Sequence, residues 1–275
     1  MVNGSVYRHV LADIVTGVTP DITDARPLQL RIADEIRAQI ETGRLPPGIQ
    51  LPTLDELAEQ YECSLAASRK AVDLLKQQGL VVSRQGRGNF VRQRASARRH
   101  GIERYAKSRW RGDAGQAILV AEGESQGYAV DQILRELGEV PAPPVVAGKF
   151  GLTPGTPVWV RRRTTLIDGR PNQLADSFYE LDVVAGTRIQ RQDTGPGGGF
   201  ARLEEAGHVL AEISEEWSVR MPTTPEGTTL GLPAGTPVID LTRTTYTATG
   251  RAVEVMLAVL AGDMTEFAYR FPIPE

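Results

Sequence analysis

Apolar residues recur every fourth position from residue 28 onward and mark the first strong element of the chain. The members of this apolar face are Leu28, Ile32, Ile36 and Ile40. Charged side chains occupy the other faces, so the pattern predicts an amphipathic helix that Pro27 opens and Gly43 closes. A Pro-Pro-Gly turn at 46–48 and a short extended segment, 49–51, are predicted to follow.

Two further short helices are predicted between residues 53 and 79. Thr53 and Glu56 have the spacing of a capping box, in which each side chain bonds the other residue's free backbone N–H. Ser64 is a suitable N-cap for a third helix that runs to about Gln78 and carries Ser68, Arg69 and Lys70 on its outer face. The predicted inward residues are Leu54, Leu57, Ala58, Tyr61, Ala71, Val72, Leu74 and Leu75. Only 61–64 separate the two helices, which is typical of a helix-turn-helix, and Cys63 is interpreted as a small hydrophobe of that turn.

A Gly-flanked hairpin is predicted after the third helix. The strand-like runs LVVSR and GNFVR are joined by residues 85–88, which place Arg84 and Arg87 at or near the tip. A compact tip with arginine suits a narrow minor groove, where the negative potential is enhanced. Two alternatives are an ordinary surface hairpin and a winged helix that is used only for protein contacts.

Residues 26–93 resemble the DNA-binding domain of GntR-family transcription regulators. The resemblance rests on the PPG turn, the ELA core at 56–58 and the QGRGNFV wing at 85–91, where Asn89 replaces a threonine. The recognition helix departs from the family: Leu65 and Ala67 cannot donate hydrogen bonds, although they can contact thymine methyl groups. The resemblance implies a DNA-binding set of Thr53, Ser64, Leu65, Ala67, Ser68, Arg69, Lys70, Arg84, Gln85, Gly86, Arg87 and Gly88. We expect Arg69, Lys70, Arg84 and Arg87 to contact phosphates and to carry much of the affinity.

The C-terminal half contains an internal repeat. A Pro/Gly turn, a β-rich run and an Arg-Thr-Thr triplet begin at Gly151 and again at Gly231, 80 residues later, and each copy ends in a hairpin signal. The repeat predicts two β-hairpins in one antiparallel sheet. A helix is predicted for Ala201–Ala206, followed by an extended run, and another for Tyr128–Leu137. The whole chain is therefore predicted to be α+β.

Residues from about 117 to 271 resemble the UTRA effector-binding domain of the HutC subfamily of GntR regulators, whose fold is related to chorismate lyase. The resemblance implies a pocket for a small, often anionic or sugar-derived ligand. The implied effector-binding residues are Arg161, Arg163, Ser177, Tyr179, Arg243, Tyr246 and Glu254. Alternation along a strand would turn some arginines of 161–163 to solvent instead. Ala175 stands where the family usually has an acidic residue, and TGPGGG at 194–199 is interpreted as a flexible loop rather than a phosphate cradle.

Composition and charge limit the classes of function. The 275 residues are 41% hydrophobic, which is ample for two packed domains. No run of about 18 apolar residues and no basic-apolar leader is present, so a cytoplasmic protein without membrane association is expected. One cysteine and three histidines at unrelated positions predict no structural metal, and no cofactor is expected. Residues 26–111 carry 17 Lys+Arg against 9 Asp+Glu, whereas 112–275 carry 13 against 22. This asymmetry favours a basic half that faces DNA, although a solvated basic surface is the alternative.

These observations predict a four-part chain. An N-terminal extension, 1–25, precedes the winged helix-turn-helix domain, 26–93, a basic linker, 94–116, and the UTRA effector and dimerisation domain, 117–275. The linker is predicted to be either a solvated hinge or a phosphate contact. The predicted function is a homodimeric transcription regulator, a repressor, whose affinity for double-stranded operator DNA depends on a small-molecule effector. The rival hypotheses are a dimeric repressor without effector and an enzyme on the chorismate-lyase-like fold, for which no convincing catalytic constellation is found.

Overall fold

The computed structural model describes residues 25–92, 97–111, 118–270 and 273. The chain divides into two compact units, one of residues 1–94 with 233–236 and one of residues 95–232 with 237–275. The helical spacing noted at residues 6–14 of the N-terminal extension lies outside the described residues.

The N-terminal unit is a three-helix cluster with a hairpin. Its elements are α1 (Leu28–Glu41), α2 (Leu54–Gln60), α3 (Leu65–Gln77), β1 (Val81–Arg84) and β2 (Gly88–Val91). The predicted apolar faces meet in one core, in which Ile32, Leu57 and Leu75 are completely buried. Each such side chain contributes roughly 1.5–3 kcal/mol relative to an exposed one, which is enough to hold short helices that would not be stable alone.

The predicted N-terminal caps of α2 and α3 are both confirmed. Thr53 Oγ1 accepts from Glu56 N at 3.2 Å, and Glu56 Oε2 accepts from Thr53 N at 2.7 Å, completing the capping box. Ser64 Oγ accepts from Ala67 N at 3.3 Å at the start of α3. Cys63 packs at the edge of the core in the turn between the two helices, as expected of a small hydrophobe.

The C-terminal unit is built around a six-stranded antiparallel sheet with the strand order β4-β5-β6-β9-β8-β7. Its strands are β3 (Ala97–His100), β4 (Val130–Pro141), β5 (Pro157–Ile167), β6 (Arg170–Tyr179), β7 (Leu210–Arg220), β8 (Val238–Thr247), β9 (Ala252–Ala261) and β10 (Thr265–Ala268). Its α-helices are α4 (Lys107–Trp110), α5 (Ile118–Gln126), α6 (Pro144–Phe150), α7 (Leu181–Val184), α8 (Gly198–Glu205) and α9 (Thr224–Thr229), with 3-10 turns at Ile102–Tyr105 and Arg188–Gln190. Outside the large sheet, β3 pairs in parallel with β10.

Each copy of the internal repeat includes more strands and helices than the sequence similarity indicates. The two predicted hairpins are β5–β6 and β8–β9, and they join through β6 and β9 in the middle of the sheet. Each hairpin is preceded by a strand and a short helix, β4 and α6 in the first copy and β7 and α9 in the second. The sheet is therefore two β-α-β-β units related by a pseudo-twofold arrangement. One consequence is that Arg163 and Arg243, 80 positions apart, occupy equivalent places in the two copies.

The predicted helix Tyr128–Leu137 is wrong, because residues 130–137 of this segment belong to β4, an edge strand, and 128–129 precede it. A β-bulge between Leu134 and Glu136 interrupts the two-residue alternation. The half-buried positions of this stretch therefore include Leu134 and Leu137, whose spacing of three imitates a helix. Pairing with β5 along the whole strand outweighs this local pattern.

The described part of the predicted linker is folded. Residues 97–111 form β3, a 3-10 turn and α4, and Trp110 lies within the core of the C-terminal unit beside Tyr179 and Phe200. Arg99 and Arg104 are buried and form ion pairs with Glu215 and Glu122. A solvated hinge would leave these charges in water, so the interpretation of 97–111 as a linker is corrected.

Candidate functional site

The outer face of α3 presents the basic residues that the sequence singled out. Arg69 and Lys70 are exposed, and Leu65 at the start of the helix is 42% exposed. Ala67 is partly buried. Thr53 and Ser64 are exposed as well, although their hydroxyl oxygens already accept the capping bonds of α2 and α3. These side chains form a surface that can approach a groove.

Ser68 does not belong to this surface. It is completely buried, and its Oγ donates to the carbonyl oxygens of Leu54 at 2.9 Å and Leu65 at 3.0 Å. The hydroxyl therefore fastens α3 to the start of α2. The sequence assigned Ser68 to the outer face beside Arg69, but its position in the helix turns it toward the neighbouring helix.

The wing is organised by residues that sequence reasoning did not select. Gln50 Nε2 donates to the backbone oxygen of Arg87 at 3.0 Å, and the Arg84 guanidinium lies 4.5 Å from the centre of the Phe90 ring. Gly86 and Gly88 have φ values of +68° and +96°, which other residues rarely adopt, so the tip turns tightly. Arg84, Gln85 and Arg87 remain exposed. The diagonal arginine-aromatic pair across the hairpin was the available signal for Phe90.

The positive charge of the N-terminal unit is local rather than global. Residues 26–92 carry 10 Lys+Arg against 8 Asp+Glu, a net +2, whereas residues 94–111 carry 7 against 1. Within that second segment, the ion pairs Arg98–Glu266, Arg99–Glu215, Arg104–Glu122, Lys107–Glu204 and Arg111–Glu204 are formed. The sequence-level asymmetry therefore does not by itself describe a phosphate-facing surface. The exposed cations of α3 and the wing are Arg69, Lys70, Arg84 and Arg87.

A second candidate site is a polar cavity of about 110 Å³ over the centre of the sheet in the C-terminal unit. Its lining comprises Ile118, Leu119, Gln132, Arg161, Arg163, Gln173, Ala175, Tyr179, Thr194, Gly197, Gly198, Gly199, Phe200, Arg243, Glu254 and Met256. Alternate residues of β5 and β6 face the cavity. This alternation decides which arginines of 161–163 line the cavity. Arg161 and Arg163 line the cavity, whereas Arg162 forms ion pairs with Glu136 and Asp176 instead.

Glu254 is the buried charge at the base of this cavity. It is 3% exposed and accepts from Tyr179 Oη at 2.8 Å, from Arg243 Nη2 at 2.6 Å and from Thr245 Oγ1 at 3.3 Å. Burial alone would raise the pKa of Glu254, but the charge of Arg243, the hydrogen bond from Tyr179 and the charge of Arg163 hold it below its usual value. Glu254 is therefore ionised and compensates Arg243. Burial, followed by the charge of Glu254, raises the pKa of Tyr179, which keeps its proton.

Arg161 and Arg163 have different roles. Arg161 donates to the backbone oxygens of Ile189 at 2.8 Å, Gln192 at 3.1 Å and Arg191, so it holds the loop that follows α7. Burial and the neighbouring charge of Arg163 lower the pKa of Arg161. Arg163 Nη2 donates to Ser177 Oγ at 2.7 Å.

Arg163 stands opposite Ala175 in the β5–β6 register. Among the described residues, no carboxylate oxygen lies within 4.0 Å of the Arg163 guanidinium nitrogens. Arg163 therefore faces the cavity opposite the small side chain of Ala175 and interacts with Glu254 only through space, whereas Arg243 forms a direct ion pair with Glu254.

The glycine segment 194–199 was interpreted as a flexible loop, but it forms one wall of the same cavity. Thr194 and the three glycines 197–199 line it, and Gly197 starts α8 with a φ of +75°. A Cβ on Gly197 would lie 2.3 Å from the backbone oxygen of Trp110, so only glycine fits. The wall therefore brings the N-terminus of α8, with its partial positive charge, toward the arginines. Gly197, Gln173 and Phe200 were not predicted as site residues.

Tyr246 is the predicted effector residue that the structure does not bring to the cavity. It follows Arg243 and Thr245 on β8 across a register shift and does not contribute to the lining. Strand alternation turns it to the opposite face of the sheet from Arg243. The other predicted effector residues converge, with Ser177 buried beneath Arg163.

A larger groove of about 570 Å³ lies beside the cavity over β7. Tyr105, Trp110, Phe200, Trp217 and Tyr269 contribute aromatic rings to it, and Glu212, Glu215 and Lys107 contribute charges. The predicted effector residues do not line this groove, and its ion pairs are internal to the fold. The polar cavity is therefore the stronger candidate for a charged ligand, although it is the smaller of the two.

The described residues hold no grouping of three or more His, Cys, Asp or Glu with metal-binding geometry. Within the same residues, no helix combines the length and hydropathy that crossing a bilayer requires.

Comparison with known proteins matches both units. The model for bacterial regulatory proteins of the gntR family matches residues 28–91, and the model for the UTRA domain matches residues 125–266. The HTH-type transcriptional regulator SCO4628 of Streptomyces coelicolor is 35% identical over 254 residues, which cover 90% of this chain and 94% of the relative. The HTH-type transcriptional repressor NagR of Bacillus subtilis is 23% identical, with 88% and 94% of the two chains covered. The crystal structure of a GntR-family transcriptional regulator is 26% identical, with a TM-score of 0.62 over 90% of this chain and 99% of that one.

Proposed function

This chain belongs to the GntR family of bacterial regulatory proteins and carries a UTRA domain, and on that premise we propose that it is a homodimeric repressor controlled by a small anion. It is a DNA-binding transcription regulator and not an enzyme, as the matched families and the named relatives show. The homodimer, the repression and the identity of the effector class are the proposal.

Recognition of DNA rests on α3 and the wing. Arg69 and Lys70 on α3 and Arg84 and Arg87 on the wing are exposed cations on adjoining elements. In such a unit the second helix of the helix-turn-helix enters the major groove and the wing reaches the minor groove. Because Leu65 and Ala67 offer no hydrogen-bond donors, phosphate contacts supply much of the affinity and the operator is read through few base contacts.

The cavity carries more positive than negative charge, which is the observation that supports an anionic effector. Arg161, Arg163 and Arg243 are balanced only by Glu254 among the charged residues of the lining. The start of α8 adds a partial positive charge to the same wall. A carboxylate or phosphate group against Arg163 would give this cation the direct ion pair that the described residues do not supply. The volume of about 110 Å³ restricts the buried part of the ligand to a small group.

Repression and dimerisation are proposed from the family. NagR, which matches over nearly the whole chain, is named as a repressor. A two-headed protein binds half-sites about one helical turn apart, and a twofold-symmetric dimer accounts for a pseudo-palindromic operator. Light scattering should give the mass of a dimer at micromolar concentration; a monomer bound to DNA at full affinity would contradict this part.

The test of the effector begins with an operator that the wild-type chain selects from a random duplex library. Thermal unfolding of the full chain is then followed against inorganic phosphate, sugar phosphates and small carboxylates, with neutral sugars as controls. An anion that raises the melting temperature is titrated calorimetrically with and without operator. Linkage requires operator to weaken anion binding by the same factor by which the anion weakens operator binding.

The effector-independent dimeric repressor is the second candidate. It predicts that no anion stabilises the chain, or that one does so with equal affinity in the presence and absence of operator. Arg163, which lines a formed cavity and makes no direct ion pair among the described residues, favours the effector-controlled alternative.

A further inference from the structure

The first strand of the C-terminal unit is anchored by a buried arginine. The first segment of the N-terminal unit ends at Arg94, and β3, which begins at Ala97, is the first element described after it. Arg99, on β3, is 5% exposed and extends away from its own strand into the sheet. Its Nη1 donates to Gln173 Oε1 at 3.3 Å, and its Nη2 lies 3.2 Å from Glu215 Oε1.

Both partners of Arg99 lead to the polar cavity. Gln173 is itself part of the cavity lining, so one contact is direct. The other contact passes through Glu215, which accepts from the hydroxyl of Tyr105. The Tyr105 ring lies 5.8 Å from the guanidinium of Arg243, which pairs with Glu254 in the cavity. All these groups belong to the C-terminal unit and form a series of pairwise contacts.

We propose that Arg99 is the positioning residue that couples the cavity to β3, and that a change at β3 alters the affinity of the chain for operator DNA. The inference rests on the proposed effector role of the cavity. A ligand that draws Gln173 or Arg243 toward itself changes the partners of Arg99. Because a buried guanidinium cannot remain without partners, Arg99 and β3 must respond.

The local architecture makes β3 a suitable receiver of such a change. It contains four residues and pairs only with β10, which is also four residues long. A two-stranded ribbon of this length is marginal by itself, so its seating depends on side-chain anchors. Arg99 supplies the buried anchor, with Phe267 of β10 beneath its guanidinium at 5.5 Å. The side chain of Arg98, the preceding residue, pairs with Glu266 at the surface.

The experiment measures operator affinity of the full chain, a quantity that a purely structural contact inside the C-terminal unit does not change. The operator is the duplex selected by the wild-type chain, and dissociation constants are read by fluorescence anisotropy at fixed salt without any ligand. The variants are Arg99→Lys, Gln173→Ala at the cavity wall, their double variant, and Tyr105→Phe, which removes only the hydroxyl that bonds Glu215. Arg98→Ala on the same strand is the matched control.

We expect Arg99→Lys and Gln173→Ala each to weaken operator binding by threefold or more, and the double variant to be no weaker than the weaker single one, because the two changes break one contact. Arg98→Ala should stay within twofold of wild type. If Arg99→Lys fails to fold, the operator affinities of Tyr105→Phe and Gln173→Ala are each compared with that of the Arg98→Ala control.

Operator affinities equal to wild type in the folded variants, or strictly additive effects of Arg99→Lys and Gln173→Ala, would overturn the coupling role. These results leave the anion screen unaffected, so failure of the coupling and failure of the proposed effector are told apart. A coupling role with no detectable anion would contradict only the assignment of the ligand.

Discussion

Replacement of Glu254 by glutamine tests whether the buried charge network holds the centre of the sheet. The substitution keeps the shape of the side chain and removes its charge, so Arg243, which is 8% exposed, loses the carboxylate 2.6 Å away. An amide nitrogen directed at the guanidinium would add a donor where an acceptor is required. The hydroxyl of Tyr179 retains an oxygen to which it can donate.

The magnitude follows from burial. At an effective dielectric constant of about 20, two unit charges about 4 Å apart attract by about 4 kcal/mol, and removing one partner of a buried pair costs about 3–5 kcal/mol. Retention of the hydrogen bond from Tyr179 offsets part of this loss. We therefore expect Glu254→Gln to lower the free energy of unfolding by about 3 kcal/mol.

Tryptophan fluorescence during urea unfolding measures the free energy of unfolding of the C-terminal unit, which contains Glu254. The chain has three tryptophans, Trp110, Trp159 and Trp217, and all of them lie in the C-terminal unit. Glu216→Gln is the matched control, since Glu216 is 58% exposed and pairs with Lys149 at the surface. The control should change the free energy of unfolding by less than about 1 kcal/mol. If Glu254→Gln were no more destabilising than this control, the view of Glu254 as the compensating charge of Arg243 would be refuted.

Three further predictions concern the wing, the helix contact and the pH dependence. Arg87→Ala should weaken operator binding and reduce the slope of log affinity against log salt by about 0.9, measured by anisotropy at several salt concentrations. Arg44→Ala, which changes a cation outside the wing, should alter neither the affinity nor the slope. Ser68→Ala should destabilise the N-terminal unit by about 1–2 kcal/mol in circular-dichroism melts and leave the salt slope unchanged. A lower slope with normal stability would instead mean that Ser68 contacts DNA. The hydrogen bond from Arg220 lowers the pKa of Glu226 to about 2 from its ordinary 4.5, so its stabilisation is complete above pH 4.5 and is lost as the pH falls toward 2. Unfolding of Glu226→Gln should therefore depend less on pH between 4.5 and 2 than that of wild type, and equal slopes would contradict the pairing.

Local patterns predicted the N-terminal unit well because its interactions are short in range. The capping box of Thr53 and Glu56 and the N-cap Ser64 lie three residues from the groups they bond. The apolar period of α1 likewise depends on neighbouring turns of one helix. Ser68 was misplaced because helical position alone does not state which face another helix covers.

In the C-terminal unit, long-range contacts decide more of the structure than local sequence patterns do. The 80-residue repeat revealed the two hairpins, but the β-bulge in β4 disguised an edge strand as a helix. The sequence predicted that Arg99 and Arg104 belong to a solvated linker. The structure instead buries them in ion pairs with Glu215 and Glu122, which come later in the chain. Long-range ion pairs leave no periodic trace in the sequence.

The sequence by itself determined the two families of fold, the helix boundaries of the DNA-binding unit and five residues that line the cavity: Arg161, Arg163, Tyr179, Arg243 and Glu254. Turn residues, caps and apolar periodicity act over a few positions, so they can be recognised along a single chain. Only the tertiary structure decided that Ser68 faces inward, that Tyr246 leaves the cavity, and that the glycines at 197–199 form its wall. Those outcomes depend on which surfaces pack together, and packing is a property of the whole fold.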